Sequence, residues 1–126
     1  MQSTPRFPEA DLEALERARL LRVRAGTEHR YTGVWVVVVE GRVLVRSWND
    51  EPTGWYRAFR EEPHGSISFG TREVPVVARH VRSERLRHAA SLAYAEKYVT
   101  KASGKWVRGF AEPGREKNTL ELVPAP

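Results

Sequence analysis

The chain has 126 residues and a formal net charge of +5, and it contains no cysteine. It therefore forms no disulfide and has no thiolate to act as a nucleophile or to hold zinc or an iron–sulfur cluster. Apolar residues make up 40% of the sequence, enough for the core of a single domain spanning residues 1–126. No apolar run approaches the roughly 20 residues of a membrane helix. Because no signal peptide is apparent either, we expect a cytoplasmic protein without a membrane partner.

The first part of the chain predicts a helix followed by β-strands. Pro8 fits the first turn of a short helix that ends near Ala18. A strand is predicted at residues 20–24. The β-branched run at residues 31–39 predicts one continuous strand that is buried on both faces and lies in the interior of a sheet.

Two hairpins follow this run. Residues 40–41, Glu-Gly, predict a two-residue turn into a strand at residues 43–48. Residues 70–71, Gly-Thr, predict a second turn, with a return strand at residues 72–81. Pro75 within the return strand indicates a sheet edge or a bulge, because proline cannot donate to the ladder.

The remaining elements are helices and a closing strand. A brief helix is predicted to begin at Trp55, and Ser83 is predicted to cap a longer helix near residues 84–98. Residues 105–110 predict a short strand or a turn, and residues 119–123 predict a last strand. Together these elements describe a mainly β domain with helical additions, in the α+β class.

The titratable residues form no recognisable catalytic motif. The four histidines show no HExxH spacing, so no metal site is predicted. The only aspartates are Asp11 and Asp50, and no GxSxG motif is present, which argues against a serine triad. Lys105 follows a glycine as in a phosphate loop, but Trp106 replaces the required Ser or Thr. We therefore assign no catalytic residue.

The basic residues are distributed over the chain rather than gathered in one patch. Three clusters lie at residues 17–24, 79–87 and 97–108. A sequence pI near 10.0 is typical of proteins that bind polyanions or phosphorylated ligands. Because no zinc-finger or RNA-recognition motif accompanies the charge, we favour a small-molecule ligand and regard a nucleic-acid partner as an unfavoured alternative.

A candidate ligand site is predicted where a strand, a polar loop at residues 49–54 and the following helix meet. Arginines are expected at anionic groups of the ligand, Ser and Asn at its polar ring or chain atoms, and tryptophans at the walls. The residues assigned to these roles are Arg30, Arg46, Ser47, Trp48, Asn49, Trp55 and Arg57. A purely structural role is the alternative for Trp55.

The order of these elements carries a resemblance to a known superfamily. The stretches concerned are VWVVVVEGRVLVRSW, the Trp55-Tyr56 pair, Pro63, SISFGTREVPVVARHV and SERLRHAA. They resemble the split-barrel flavin and deazaflavin reductases, a superfamily that includes pyridoxamine-phosphate oxidase-like proteins. More narrowly, the whole chain is similar to a family of small bacterial split-barrel proteins of unknown function. The resemblance implies an antiparallel, FMN-binding-like split β-barrel.

The resemblance also implies a function. Proteins of this superfamily usually form homodimers and bind FMN or a deazaflavin near the subunit interface, and the ring supplies the hydride chemistry. The implied activity is reduction of a small organic acceptor. The Gly-Arg-Lys-Ser-Gly-like turn of the deazaflavin enzymes is replaced here by residues 26–30, where Arg30 and His29 are the basic candidates. The alternative is therefore a non-catalytic ligand-binding or interaction protein with a degenerate cofactor site.

Overall fold

The computed structural model describes residues 5–126. The strands are β1 Leu21–Ala25, β2 Thr32–Val34, β3 Val36–Val39, β4 Arg42–Arg46, β5 His64–Phe69, β6 Arg72–His80 and β7 Thr119–Pro124. The helices are α1 Glu9–Arg17, α2 Trp55–Glu61, α3 Glu84–Lys97, α4 Gly104–Phe110 and α5 Pro113–Glu116, with a 3-10 turn at Lys101–Ser103. None of the helices in this described part combines the length and hydropathy that a membrane span requires.

The seven strands form one antiparallel sheet that curves into a nearly closed barrel. The strand order is β2-β1-β5-β6-β7-β4-β3. The first and last strands of this order are consecutive in sequence, and only Trp35 separates them. The chain thus passes from one end of the sheet to the other through a single residue. The predicted antiparallel barrel and its helical additions are confirmed.

The prediction of one continuous interior strand at residues 31–39 is wrong. The run is divided at Trp35, and its halves pair with opposite ends of the sheet, β2 with β1 and β3 with β4. At the break, the Tyr98 hydroxyl accepts a hydrogen bond from the Val36 amide at 3.1 Å and donates one to the Arg19 carbonyl at 2.8 Å. The side chain of the residue that follows α3 therefore supplies the polar contacts that continuous strand pairing would have made.

Two apolar clusters hold the fold together, one inside the barrel and one between the barrel wall and α3. Strand β4 shows the division, because its side chains alternate between the two faces. Val43 and Val45 lie in the barrel interior, whereas Leu44 packs with Leu86 and Tyr94 of α3. At the start of β3, Val36 lies in the barrel interior and Val37 packs with the α3 cluster. The predicted burial of both faces of the valine run is therefore confirmed there.

The predicted turns and the position of Pro75 are resolved by the strand register. Glu40 and Gly41 both have positive φ, 54° and 74°, as a two-residue hairpin turn of the primed type requires. Pro75 does not lie in an edge strand, because β6 is paired on both sides. Its carbonyl accepts a hydrogen bond from Ala125, just beyond the last β6–β7 pair. The missing N–H therefore falls at the end of a ladder, where little pairing is lost.

The helices α3 and α4 cover the outside of the barrel. Ser83 caps α3 as predicted, since its hydroxyl accepts a hydrogen bond from the Leu86 amide at 3.1 Å. Residues 105–110 form the helix α4, so the prediction of a strand or turn there is wrong. Val107 and Phe110 share one helical face and pack against the α3 cluster. A segment this short does not distinguish helical from strand periodicity in sequence.

Candidate functional site

All four tryptophans of the chain line one cavity of about 340 Å³, which we call the tryptophan cleft. They come from four different places in the sequence, namely the β2–β3 junction, the second residue after β4, the start of α2 and the first half of α4. The lining residues are Gly33, Val34, Trp35, Arg46, Trp48, Trp55, Trp106 and Phe110. A cavity of this size falls in the lower part of the range for small-molecule sites, roughly 300–1,000 Å³.

Trp35 and Trp48 are held in fixed positions by their neighbours. The Trp35 ring stacks on Tyr98 with ring centroids 4.0 Å apart and an interplanar angle of 7°. The Trp48 ring lies against the backbone of Gly109, and the guanidinium of Arg115 lies over the ring with its Cζ 3.6 Å from the centroid. The Arg115 Nε also donates to the Trp48 carbonyl at 3.0 Å. These contacts make one side of the cleft rigid.

Trp55 and Trp106 form the other walls of the cleft, and Trp106 is the exposed one of the four tryptophans. Trp55 is the first residue of α2 and packs partly against the barrel core. Trp106 is 44% exposed, and its ring meets Trp48 edge-on with the centroids 4.9 Å apart. Trp55 therefore contributes both to the core and to the cleft, so the two roles considered for it from sequence are compatible.

Arg46 is a buried cation in the wall of the tryptophan cleft. The residue is 1% exposed. Its guanidinium donates to the hydroxyls of Thr119 and Ser91 and to the carbonyls of Phe110 and Arg87, at 2.7–2.9 Å. Burial lowers the pKa of Arg46, yet an arginine stays protonated in proteins. The guanidinium makes no salt bridge with any described residue. The Glu116 carboxylate lies behind Ser91, whose hydroxyl donates to it at 2.6 Å, and its charge favours the protonated guanidinium.

The polar residues after Arg46 are engaged within their own loop. The Ser47 hydroxyl donates to the Asn49 carbonyl at 2.5 Å, and the Asn49 side chain accepts from the Glu51 amide at 3.2 Å. Arg57 forms two hydrogen bonds of 3.0 Å with the Asp50 carboxylate, and this contact lowers the pKa of Asp50. None of these side chains is among those that line the tryptophan cleft.

A second cavity of about 170 Å³ adjoins the cleft and shares Trp55 with it. We call it the basic pocket and define it by Arg24, His29, Arg30, Thr32 and Thr53. No acidic residue lines it. The Arg24 Nε is buried and has no hydrogen-bond partner. The same guanidinium lies 4.5 Å from the Tyr31 ring centroid, and its Nη2 forms an ion pair of 3.7 Å with Glu73, which is outside the pocket lining. The basic pocket thus offers cationic and hydroxyl groups to an anion.

The structure brings together part of the predicted site and adds residues that the sequence did not indicate. Of the predicted residues, Arg46, Trp48 and Trp55 line the cleft, and Arg30 lies in the adjoining basic pocket. Ser47, Asn49 and Arg57 stay within the loop. The additions are Trp35, Trp106 and Arg24. No local sequence pattern indicated these three residues, because each lies in a different part of the chain.

Comparisons with known proteins agree with the fold. The chain aligns with 100% of its length to 86% of the crystal structure of the conserved hypothetical protein Rv2991 from Mycobacterium tuberculosis, with a TM-score of 0.64 and 15% identity. A search of curated proteins found no match. Residues 11–122 match a family described as "Uncharacterized protein conserved in bacteria (DUF2255)". Since this match covers most of the sequence, the chain belongs to the bacterial DUF2255 family.

Proposed function

We propose that the tryptophan cleft and the basic pocket together bind a flavin, such as FMN, or a deazaflavin, and that the protein is an oxidoreductase acting on a small organic acceptor. The observation that supports this proposal most is the convergence of all four tryptophans on one cavity. Tryptophan side chains are usually largely buried in the cores of folded proteins. Their concentration around an accessible cavity favours a planar ligand, which can stack against aromatic walls.

The cleft and the basic pocket fit the two ends of such a ligand. The ring would lie against Trp48 and Trp55, and the anionic end of the side chain would reach Arg24 and Arg30 past Trp55, which lines both cavities. When bound, the ring supplies the hydride chemistry, and the protein contributes orientation and electrostatics. Arg46 would place a positive charge beside the ring, partly offset by the Glu116 carboxylate behind Ser91.

Ligand titration tests this proposal directly. FMN or a deazaflavin is added to the purified protein while tryptophan fluorescence is recorded, because a ring stacked on an indole quenches its emission. We expect saturable quenching in the wild type and at least about tenfold weaker binding in Trp55→Leu, which removes a stacking wall. Arg30→Gln should weaken the binding of FMN by a similar factor. The binding of riboflavin, which has no phosphate, should be unaffected.

A matched control distinguishes local binding from general charge. Arg82 is also an exposed arginine, but it lines neither the tryptophan cleft nor the basic pocket. The Arg82→Gln variant has the same net charge as Arg30→Gln and should bind FMN as the wild type does. Equal losses of FMN affinity in the two variants would indicate non-specific electrostatic attraction. The absence of quenching in every protein, the wild type included, would contradict the proposal that a flavin or deazaflavin binds.

A second candidate function is a non-catalytic ligand-binding or interaction protein on the same barrel. The observation that favours it is the engagement of Ser47, Asn49 and Arg57 within their own loop. The cleft lining contains no carboxylate or histidine, so any proton transfer would depend on solvent or on the ligand. Binding of a reduced flavin or deazaflavin without its oxidation by any acceptor in a panel would favour this candidate over the oxidoreductase.

The partners proposed are a small-molecule ligand and a second copy of the chain. Trp106, at the mouth of the cleft, and Val99, after α3, remain 44% and 72% exposed, and a dimer interface would cover apolar side chains of this kind. Light scattering coupled to size-exclusion chromatography measures the mass directly. A mass of one chain at micromolar concentration, with and without ligand, would exclude the homodimer.

A further inference from the structure

Lys97, near the end of α3, extends its side chain back to the barrel. Its Nζ donates to the Val36 carbonyl at 2.7 Å and to the Leu15 carbonyl at 3.1 Å, the latter in the last turn of α1. The residue is half-buried and forms no salt bridge with any residue in the range 5–126. Both of its hydrogen-bond acceptors are therefore neutral backbone groups.

This arrangement suits a neutral amine. A neutral amine has two N–H groups and one lone pair, whereas an ammonium has three N–H groups. Two carbonyls thus satisfy both N–H groups of the neutral form and leave the lone pair free. The pKa of Lys97 is lowered to about 8, chiefly by burial; the Glu16 carboxylate opposes this shift and the Arg19 charge adds to it. At about pH 7.5, roughly a quarter of the side chains then carry the lone pair.

A cavity of about 290 Å³ lies beside the amine. It is lined by Lys97, by the apolar side chains of Val37, Val38 and Ala93, and by the carboxylates of Glu16 and Glu96. The other neighbours of the Nζ are the Tyr98 ring, with its centroid 5.5 Å away, and the charge of Arg19. No lining residue is shared with the tryptophan cleft, so this site is separate from the cofactor site proposed above.

We propose that Lys97 is a nucleophilic amine that captures a small, uncharged aldehyde as an imine. The Nζ lone pair forms a bond to the carbonyl carbon, and the carbonyl oxygen takes a proton, which gives a carbinolamine. That hydroxyl then leaves as water after a second protonation, and the nitrogen forms a double bond to carbon. The first of these protons is the one that the amine gives up, relayed by the Glu16 or Glu96 carboxyl or by solvent. The second comes from solvent by the same route, so the iminium that forms keeps one N–H and a positive charge.

The charges around the cavity select the class of reactant. The two carboxylates stabilise the cationic iminium that forms, and they repel anionic reagents such as acyl phosphates or α-keto acids. The iminium nitrogen keeps one N–H, which can retain the shorter bond to the Val36 carbonyl. The Leu15 carbonyl then loses its donor, so capture of an aldehyde would weaken the attachment of α1 to α3.

Reductive labelling of the intact wild-type protein tests the proposal. Propanal and cyanoborohydride are added at about pH 7.5, and the N-propylated lysines are identified by peptide mass spectrometry. The chain has three other lysines, Lys101, Lys105 and Lys117, all of them exposed. We expect Lys97 to be labelled at least about tenfold faster than these three, because its neutral fraction is larger.

Two comparisons show whether the preference comes from the folded cavity. In concentrated urea the four lysines should react at similar rates. In the folded protein, glyoxylate, an anionic aldehyde, should show no preference for Lys97. Labelling of folded Lys97 at the same rate as the exposed lysines, or more slowly, would overturn the proposal. So would a preference for Lys97 that persists in urea.

Discussion

The side chain of Trp48 lies directly against the backbone of Gly109. A Cβ atom at position 109 would be 2.2 Å from Cη2 and 2.5 Å from Cζ3 of the Trp48 ring, far closer than van der Waals contact. Glycine is therefore required at position 109 for Trp48 to occupy its place in the tryptophan cleft. The contact links α4 to the segment after β4. Gly109 is therefore part of the site although it has no side chain.

Replacing Gly109 by alanine should displace the Trp48 ring. We expect Gly109→Ala to lower the free energy of unfolding by roughly 1–3 kcal/mol, the usual cost of overpacking. Ligand binding in the cleft should weaken with it. Gly114→Ala is the matched control, because Gly114 also lies in a short helix and a Cβ there would meet nothing within 4 Å. Equal unfolding free energies for the two variants would contradict the close contact.

Arg46 should contribute to stability as well as to the cleft. Arg46→Met keeps much of the side-chain volume, but it leaves the Phe110 carbonyl and the Thr119 hydroxyl without their donor. We expect a loss of roughly 2–4 kcal/mol, measured by urea denaturation. Arg57→Met, at a half-buried arginine in the first turn of α2 that pairs with the exposed Asp50, should change stability little. A stable Arg46→Met variant would show that the buried guanidinium is not required for the fold.

Sequence patterns predicted the parts of the fold that depend on local chemistry. The Ser83 cap, the turn at Glu40 and Gly41 and the last strand all follow from residue type and spacing, and all three are present. The division of the valine run at Trp35 was not predictable, because it depends on a hydroxyl that comes from Tyr98, 62 residues away. Local periodicity holds no information on such a contact.

The candidate site was predicted only where its residues are neighbours in sequence. Trp48 and Trp55 flank one loop and were assigned together. Trp106 was missed because α4 was predicted as a strand or turn, and Arg24 because it lies in a predicted strand far in sequence from the loop where the site was expected. The strand order of the barrel brings these residues together, and that order could not be predicted from local sequence patterns.

Tyr98 should stabilise the junction between β2 and β3. Tyr98→Phe keeps the ring that stacks on Trp35 but removes the hydroxyl that accepts from the Val36 amide. We expect a loss of about 1–3 kcal/mol, the cost of leaving a buried polar group without a partner, together with faster hydrogen exchange at the Val36 amide. Unchanged exchange at Val36 would mean that another acceptor replaces the hydroxyl.

Lys97 should make stability depend on pH in the mildly alkaline range. Its pKa is lowered from 10.5 to about 8 in the folded protein, so between these values the unfolded chain binds more protons. The stability of the wild type should therefore rise with pH from about 8 to 10, relative to Lys97→Met, which lacks the titrating group. Urea denaturation at several pH values measures this difference. A constant difference across that range would contradict the lowered pKa.

The most direct test of the proposed function is the visible absorption spectrum of the protein purified in the dark. It would be followed by denaturation, mass analysis of any released molecule, and titration with FMN and a deazaflavin. The account predicts either a bound coloured cofactor or saturable micromolar binding of one of the two, accompanied by quenching of tryptophan fluorescence. A colourless protein that binds neither compound at micromolar concentration would contradict it and would leave the barrel without a cofactor.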